Sequence, residues 1–294
     1  MQGLIPIIVQ VSLILLVAAI GLQARWRDLT SVIAKPALLV RGVVAVNIVV
    51  PAVAFLMVWA LPIEPIVKVA IFVMAVSPMA PFLPGKMLKT GADVSYVVGL
   101  YAAIILLAVL LVPVTIALAA AISGKAVIAP VGELAGLVGQ SVLLPLAVGL
   151  AIAAIMPEFA RRAAPIVSLA AILVLLPIVV LIIAKTGGGA IGLLGDGSLL
   201  AILVTLAAGL AAGHWLGGPV PAHRSALALA AATRHPSIAI LILKHYSDDQ
   251  RAVLAVILFL LASIVATAIY QRIAKRFLPA PAAEEAAAEA GKVI

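Results

Sequence analysis

Ser77-Pro78-Met79-Ala80-Pro81-Phe82-Leu83-Pro84-Gly85 lies inside an otherwise apolar run, residues 63–90. A proline within a helix removes one N–H and clashes with the carbonyl four residues earlier. Three prolines in so short a stretch, followed by glycine, predict two half-helices meeting at an unwound turn. A second run, 224–244, carries Ala232-Thr233-Arg234-His235-Pro236-Ser237, where Pro236 interrupts bonding to Ala232 beside two ionisable side chains. Freed backbone groups have no partner in lipid, so both breaks must face protein or a watery cavity.

Lipid is the solvent because of the composition. Of 294 residues, 66% are hydrophobic and 10% are charged, with a mean hydropathy of +1.33. A soluble domain of this size needs far more charge. At about 20 apolar residues per crossing, the sequence predicts an all-α, polytopic protein with about nine spans: 3–23, 35–60, 63–90, 93–121, 132–156, 164–185, 198–217, 224–244 and 251–273. The absence of cysteine excludes thiolate metal sites and disulfides. Met1-Gln2-Gly3 lacks the basic start of a cleavable signal, so 3–23 reads as a retained helix. The net charge of +8 is scattered between apolar runs and does not form one basic face, which argues against nucleic acid.

The same charges orient the chain. With the N-terminus outside, the inner side collects Arg25, Arg27, Lys35, Arg41, Lys86, Lys89, Arg161, Arg162, Arg224, Arg272, Lys275, Arg276 and Lys292. The outer side receives only Lys68, Lys125, Lys185, Lys244 and Arg251. The excess of basic residues belongs to the cytoplasm, which predicts a multi-pass cell-membrane protein with a cytoplasmic C-terminus. Trp26, Trp59 and Trp215 fall near predicted span ends. Gly187–Gly189 reads as a flexible outer loop, and 278–294, rich in Pro, Ala and Glu, as a disordered cytoplasmic tail after a transmembrane domain spanning 1–277.

The third and eighth spans are broken, an odd offset that makes them antiparallel across the bilayer. An inverted repeat produces this arrangement, here repeat 1 at about 1–122 and repeat 2 at about 131–277. Matched interrupted segments point to a secondary transporter's central site. Arg234 lies deep in its span, at a cost of roughly 2.5–3.5 kcal/mol on insertion scales. No Asp or Glu lies mid-span to offset it. Either carbonyls freed around Pro78–Gly85 or an arriving anion must do so. Lys86 adds a second cation, and His235 is the histidine placed to carry a coupled proton.

These stretches resemble the bile acid–sodium symporter family. Ala19-Ile20-Gly21-Leu22 followed by Arg25 to Asp28 is similar to its early Gly-Leu turn. Ser77 to Val97 is similar to its fourth helix, and Ala230 to Ala239 to its ninth. The resemblance implies a core domain with two crossing broken helices, a panel domain, and alternating access. The family's sodium ligands are replaced: its ninth-helix Glu reads Ala230, its Gln reads Arg234 and its Asn reads His235, while its fourth-helix Ser-Asn pair falls on Leu83 and Pro84. These replacements argue against sodium coupling in the family's manner, and no cofactor or metal is expected.

The resulting expectation is a carrier of a small organic anion. Its candidate substrate site comprises Arg234, His235, Ser237, Ser77, Pro81, Lys86 and Thr115, with His235 also the ion-coupling candidate. The repeat alignment turns Thr115 and Tyr101 toward the cavity. The alternative is a non-transporting membrane sensor or assembly component on the same fold. An enzyme finds no paired catalytic groups: Asp196 falls in an outer loop, Asp248-Asp249 at a helix start, and His214 and His223 in a cytoplasmic loop. Asn47, Gln140, Ser141, Ser168 and Thr205 read as interhelical hydrogen-bonding groups. Gly149, Gly209 and Gly213 read as close-approach positions.

Overall fold

The structure is a computed structural model, which describes residues 4–23, 36–124, 130–191, 196–244, 246–247 and 249–276. Those residues form α1 (Leu4–Gln23), α2 (Pro36–Ala60), α3 (Pro65–Val76), α4 (Leu83–Leu88), α5 (Val94–Ser123) and α6 (Val131–Ile155). After these come α7 (Pro157–Ile191), α8 (Ser198–Leu216), α9 (Pro221–Ala232), α10 (Pro236–Lys244) and α11 (Gln250–Ala274). Five of the unbroken helices, α2, α5, α6, α8 and α11, are long and apolar enough to cross a membrane. Trp59 and Trp215, at the ends of α2 and α8, are 72% and 80% exposed. Trp26, Asp248 and the 278–294 tail lie outside the described residues.

Not every proline breaks its helix. α5 runs on through Pro113, and α7 through Pro165 and Pro177. A single missing N–H costs one bond, which neighbouring turns can absorb. α2 and α6 absorb theirs by widening into π-helix at Val44–Val49 and Gly139–Leu143, ahead of Pro51 and Pro145. In the π register each N–H bonds five residues back. The next bond after Val44–Val49 would need the N–H of Pro51, which does not exist, so the Val46 carbonyl is left over.

The first break is narrower than the proline run suggested. It spans Ser77 to Phe82, and Pro84 opens α4. The first turn of a helix tolerates proline, because its N–H groups lack intrahelical partners anyway. The second break is Thr233 to His235. As expected from Pro236, the Ala232 carbonyl loses its helical donor, and the Ser263 hydroxyl of α11 donates to it at 2.7 Å. Replacing Ser263 with Ala strands that buried carbonyl. The expected loss is about 1–2 kcal/mol, read from unfolding of the protein in mild detergent, with Ser263→Thr restoring most of it.

Two sequence expectations are corrected. Gly187–Gly189 lies within α7 and is not a loop. Glycine's entropic cost in a helix is about 1 kcal/mol per residue, less than leaving backbone groups unbonded in an apolar setting. Thr205 donates to Ala201 O of its own helix at 2.7 Å, so it does not bond between helices.

The helices pack in two groups. α1 lies against α6 and α7, while α8 packs on α9, α2 and α11, and α3 on α11, α2 and α10. α10 touches α1 and α6, and α11 touches α7, where the groups meet. Small residues set the spacing. A Cβ added to Gly21 of α1 would overlap the Leu146 carbonyl of α6, and one on Gly149 would overlap the Ala18 carbonyl. Gly213 likewise lets α8 approach the α9 backbone at Leu227 and Ala228.

Candidate functional site

The two interrupted segments meet at their breaks. Met79 and Arg234 form an antiparallel bridge, and the His235 N–H donates to Pro78 O at 2.8 Å. The second unwound stretch thus donates a backbone hydrogen bond to the first. The Ser77 hydroxyl folds back to donate to Met74 O at 2.8 Å, closing the last turn of α3.

Into this crossing projects the Arg234 side chain, 1% exposed. Its Nη2 donates to Val46 O at 2.6 Å and its Nη1 to Ser77 O at 3.4 Å. Val46 is the carbonyl left over above Pro51, and Ser77 is the residue that caps the C-terminal end of α3. Helix C-terminal ends carry partial negative charge, and both α3 and α9 end at the crossing. The guanidinium is held by carbonyl oxygens, and among the described residues no carboxylate pairs with it. Around it, Arg234 Nε, the Thr233 hydroxyl, His235 Nδ1 and Asn47 Oδ1 are buried without hydrogen-bond partners among the described residues. Such groups are costly unless something else satisfies them.

The other sequence candidates separate by position. Ser77 and Pro81 are buried in the first break, and Ser237 is half-buried in the first turn of α10. Lys86 lies farther along α4, its ammonium 5.2 Å above the centre of the Phe82 ring. Thr115 is half-buried in the C-terminal half of α5, and no described contact brings it to the crossing. Tyr101, on the same helix, is fully buried, its hydroxyl without a hydrogen-bond partner among the described residues. Sequence reasoning looked for the guanidinium's partners between Pro78 and Gly85. It missed Val46, although Pro51 five residues on was the signal.

The residues weighed for catalysis have structural partners. Asp196 accepts from the N–H and hydroxyl of Ser198, the first residue of α8, and Asp249 caps α11 by accepting from Arg251 N. His214 and His223 are helical and not in a loop. His214, in the last turn of α8, bonds the Tyr270 hydroxyl at 2.7 Å. His223, in the first turn of α9, stacks on Tyr96 and lies 2.7 Å from Asp93 Oδ2. That hydrogen bond holds the Asp93 carboxyl below its usual range, against desolvation.

No curated protein matches the chain. The sodium bile acid symporter family model matches residues 10–191, which hold the first break and the helices from α2 to α7. The second break, with Arg234, lies beyond the matched stretch. The match covers more than half of the sequence and agrees with the apolar helices and the interrupted segment, so the chain belongs to the sodium bile acid symporter family.

Proposed function

We propose that this chain is a secondary transporter that moves a small organic anion by alternating access, with the Arg234 guanidinium as a permanent cation where relatives would bind a coupled ion. The observation that carries the proposal is the donation from Arg234 to Val46 O and Ser77 O inside the crossing. Unwound carbonyls and half-helix C-terminal ends coordinate cations in transporters of this architecture. A guanidinium bound to those oxygens leaves no seat for sodium. Its unpartnered Nε, with Thr233 and His235, faces the remaining task of holding an anion. Ser77, Pro81 and Ser237 would frame that anion from the two breaks, and a coupled proton would ride on His235. Lys86 and Thr115 would contribute farther along the path. An inverted repeat would suit the reading, since antiparallel broken segments could exchange roles between inward and outward states.

The test is uptake of candidate organic acids into proteoliposomes holding the purified chain. Wild-type uptake is expected to be unchanged when potassium replaces sodium, whereas Arg234→Gln is expected to lose about tenfold or more, since one buried charge-assisted bond is worth roughly 1.5–3 kcal/mol. Strict sodium dependence of the wild type would overturn the coupling claim. Unchanged uptake of every acid by Arg234→Gln would overturn the role of the arginine. No uptake under any condition would favour the sensor or assembly reading.

A further inference from the structure

Away from the crossing, a cavity of about 610 Å³ lies between the C-terminal ends of α8 and α11 and the start of α9. A smaller one of about 80 Å³ shares Ser225, Tyr270 and Ala274 with it and adds Lys89 and Lys275. A polar chain runs along them: His214 Nδ1, in the larger cavity, meets the Tyr270 hydroxyl at 2.7 Å, and Tyr270 also bonds Ser225, which both cavities share. Arg224 lines the larger cavity and is anchored by donation from Nε to Gly218 O at 2.6 Å. That bond fixes the guanidinium plane, and no described bond occupies its two terminal nitrogens.

The walls are of opposite character. One side is apolar: Leu210, Trp215 and Ile273, of which Trp215 and Ile273 are 80% and 52% exposed. The other carries Arg224, Lys89 and Lys275, and among the described residues no acidic one lines either cavity. A small free anion needs no apolar wall. A molecule with an anionic head and hydrocarbon tails satisfies both sides at once. Basic pockets at the ends of spanning helices suit anionic lipid headgroups, each Lys or Arg near the surface contributing roughly 1 kcal/mol. We infer that these joined cavities seat an anionic phospholipid, its phosphate held by Arg224, Lys89 and Lys275 and its acyl chains lying along Leu210, Trp215 and Ile273. The seat belongs to the leaflet at the basic end of the molecule, the cytoplasmic one by the loop-charge argument.

The experiment uses the intact chain in mild detergent, titrated with phosphatidylglycerol or phosphatidylcholine carrying brominated acyl chains, with tryptophan fluorescence as the readout. Phosphatidylglycerol is expected to quench at about tenfold lower mole fraction than phosphatidylcholine. That selective component should vanish in Trp215→Phe. In the Lys89→Gln, Lys275→Gln double variant the preference should disappear while non-selective quenching remains. Both changes are at exposed positions, so folding is retained. Equal quenching by the two lipids, or a preference surviving the double variant, would overturn the inference. Displacement by inorganic phosphate at constant ionic strength would reassign the site to a free anion and overturn it as a lipid seat.

Discussion

Arg234→Met is expected to lower the unfolding free energy by about 2–4 kcal/mol, the largest loss from any single side chain in the crossing. Methionine keeps most of the volume and removes the donors. The Val46 and Ser77 carbonyls then stand unbonded in a site where Arg234 was 1% exposed, at about 1–3 kcal/mol each. An opposing effect must be weighed. Burying a charge costs several kcal/mol, so apolar replacement of a buried ionic group is often neutral or stabilising. The carbonyls decide the balance, because one follows a helix C-terminal end and Pro51 has no N–H to offer the other, so a lost guanidinium donor is hard to replace from the same helix. Arg234→Lys should fall between, since one ammonium on a shorter reach serves one carbonyl well. Unfolding in mild detergent with increasing sodium dodecyl sulfate reads the difference. A methionine variant as stable as the wild type would mean that the guanidinium is retained for its ligand alone.

Gly149→Leu should separate α1 from α6 and cost about 3 kcal/mol, the upper end for overpacking a tight core. The Cβ alone would overlap the Ala18 carbonyl and the Gly21 Cα. These are backbone atoms, which cannot swing aside as a side-chain tip can. Gly21→Ala meets the Leu146 carbonyl and Gly149 Cα in the mirror sense. The two changes push apart the same contact, so the double variant should lose less than the sum of the singles. Gly136→Ala is the control on the same helix: an added Cβ there meets nothing within 4 Å, and stability should hold or rise slightly. Equal stability of Gly149→Leu and Gly136→Ala would show that α1 and α6 do not approach at these glycines.

Much of the crossing was legible in the residues. Pro78 and Pro81 announced the first break, and Pro236 the second, down to the orphaned Ala232 carbonyl. The failures share a cause. Gly187–Gly189 reads as a loop by propensity, yet α7 continues through it, because the surroundings and not the residue set the cost of an unmade backbone bond. Thr205 was assigned a neighbouring helix and bonds its own.

By itself the sequence determined that the chain lives in lipid, where its helices must interrupt, and that a positive charge lies buried at one interruption. Hydropathy and proline act through adjacent atoms, so a linear reading suffices for them. Only the tertiary structure decided what that charge holds. Val46 stands 188 positions from Arg234 in the chain, and Ser263 stands 31 from Ala232. The glycine crossing of α1 with α6 and the basic cavity beneath Tyr270 likewise join distant segments. Such pairings are set by the packing of whole helices, and no local pattern encodes which carbonyl will face which donor.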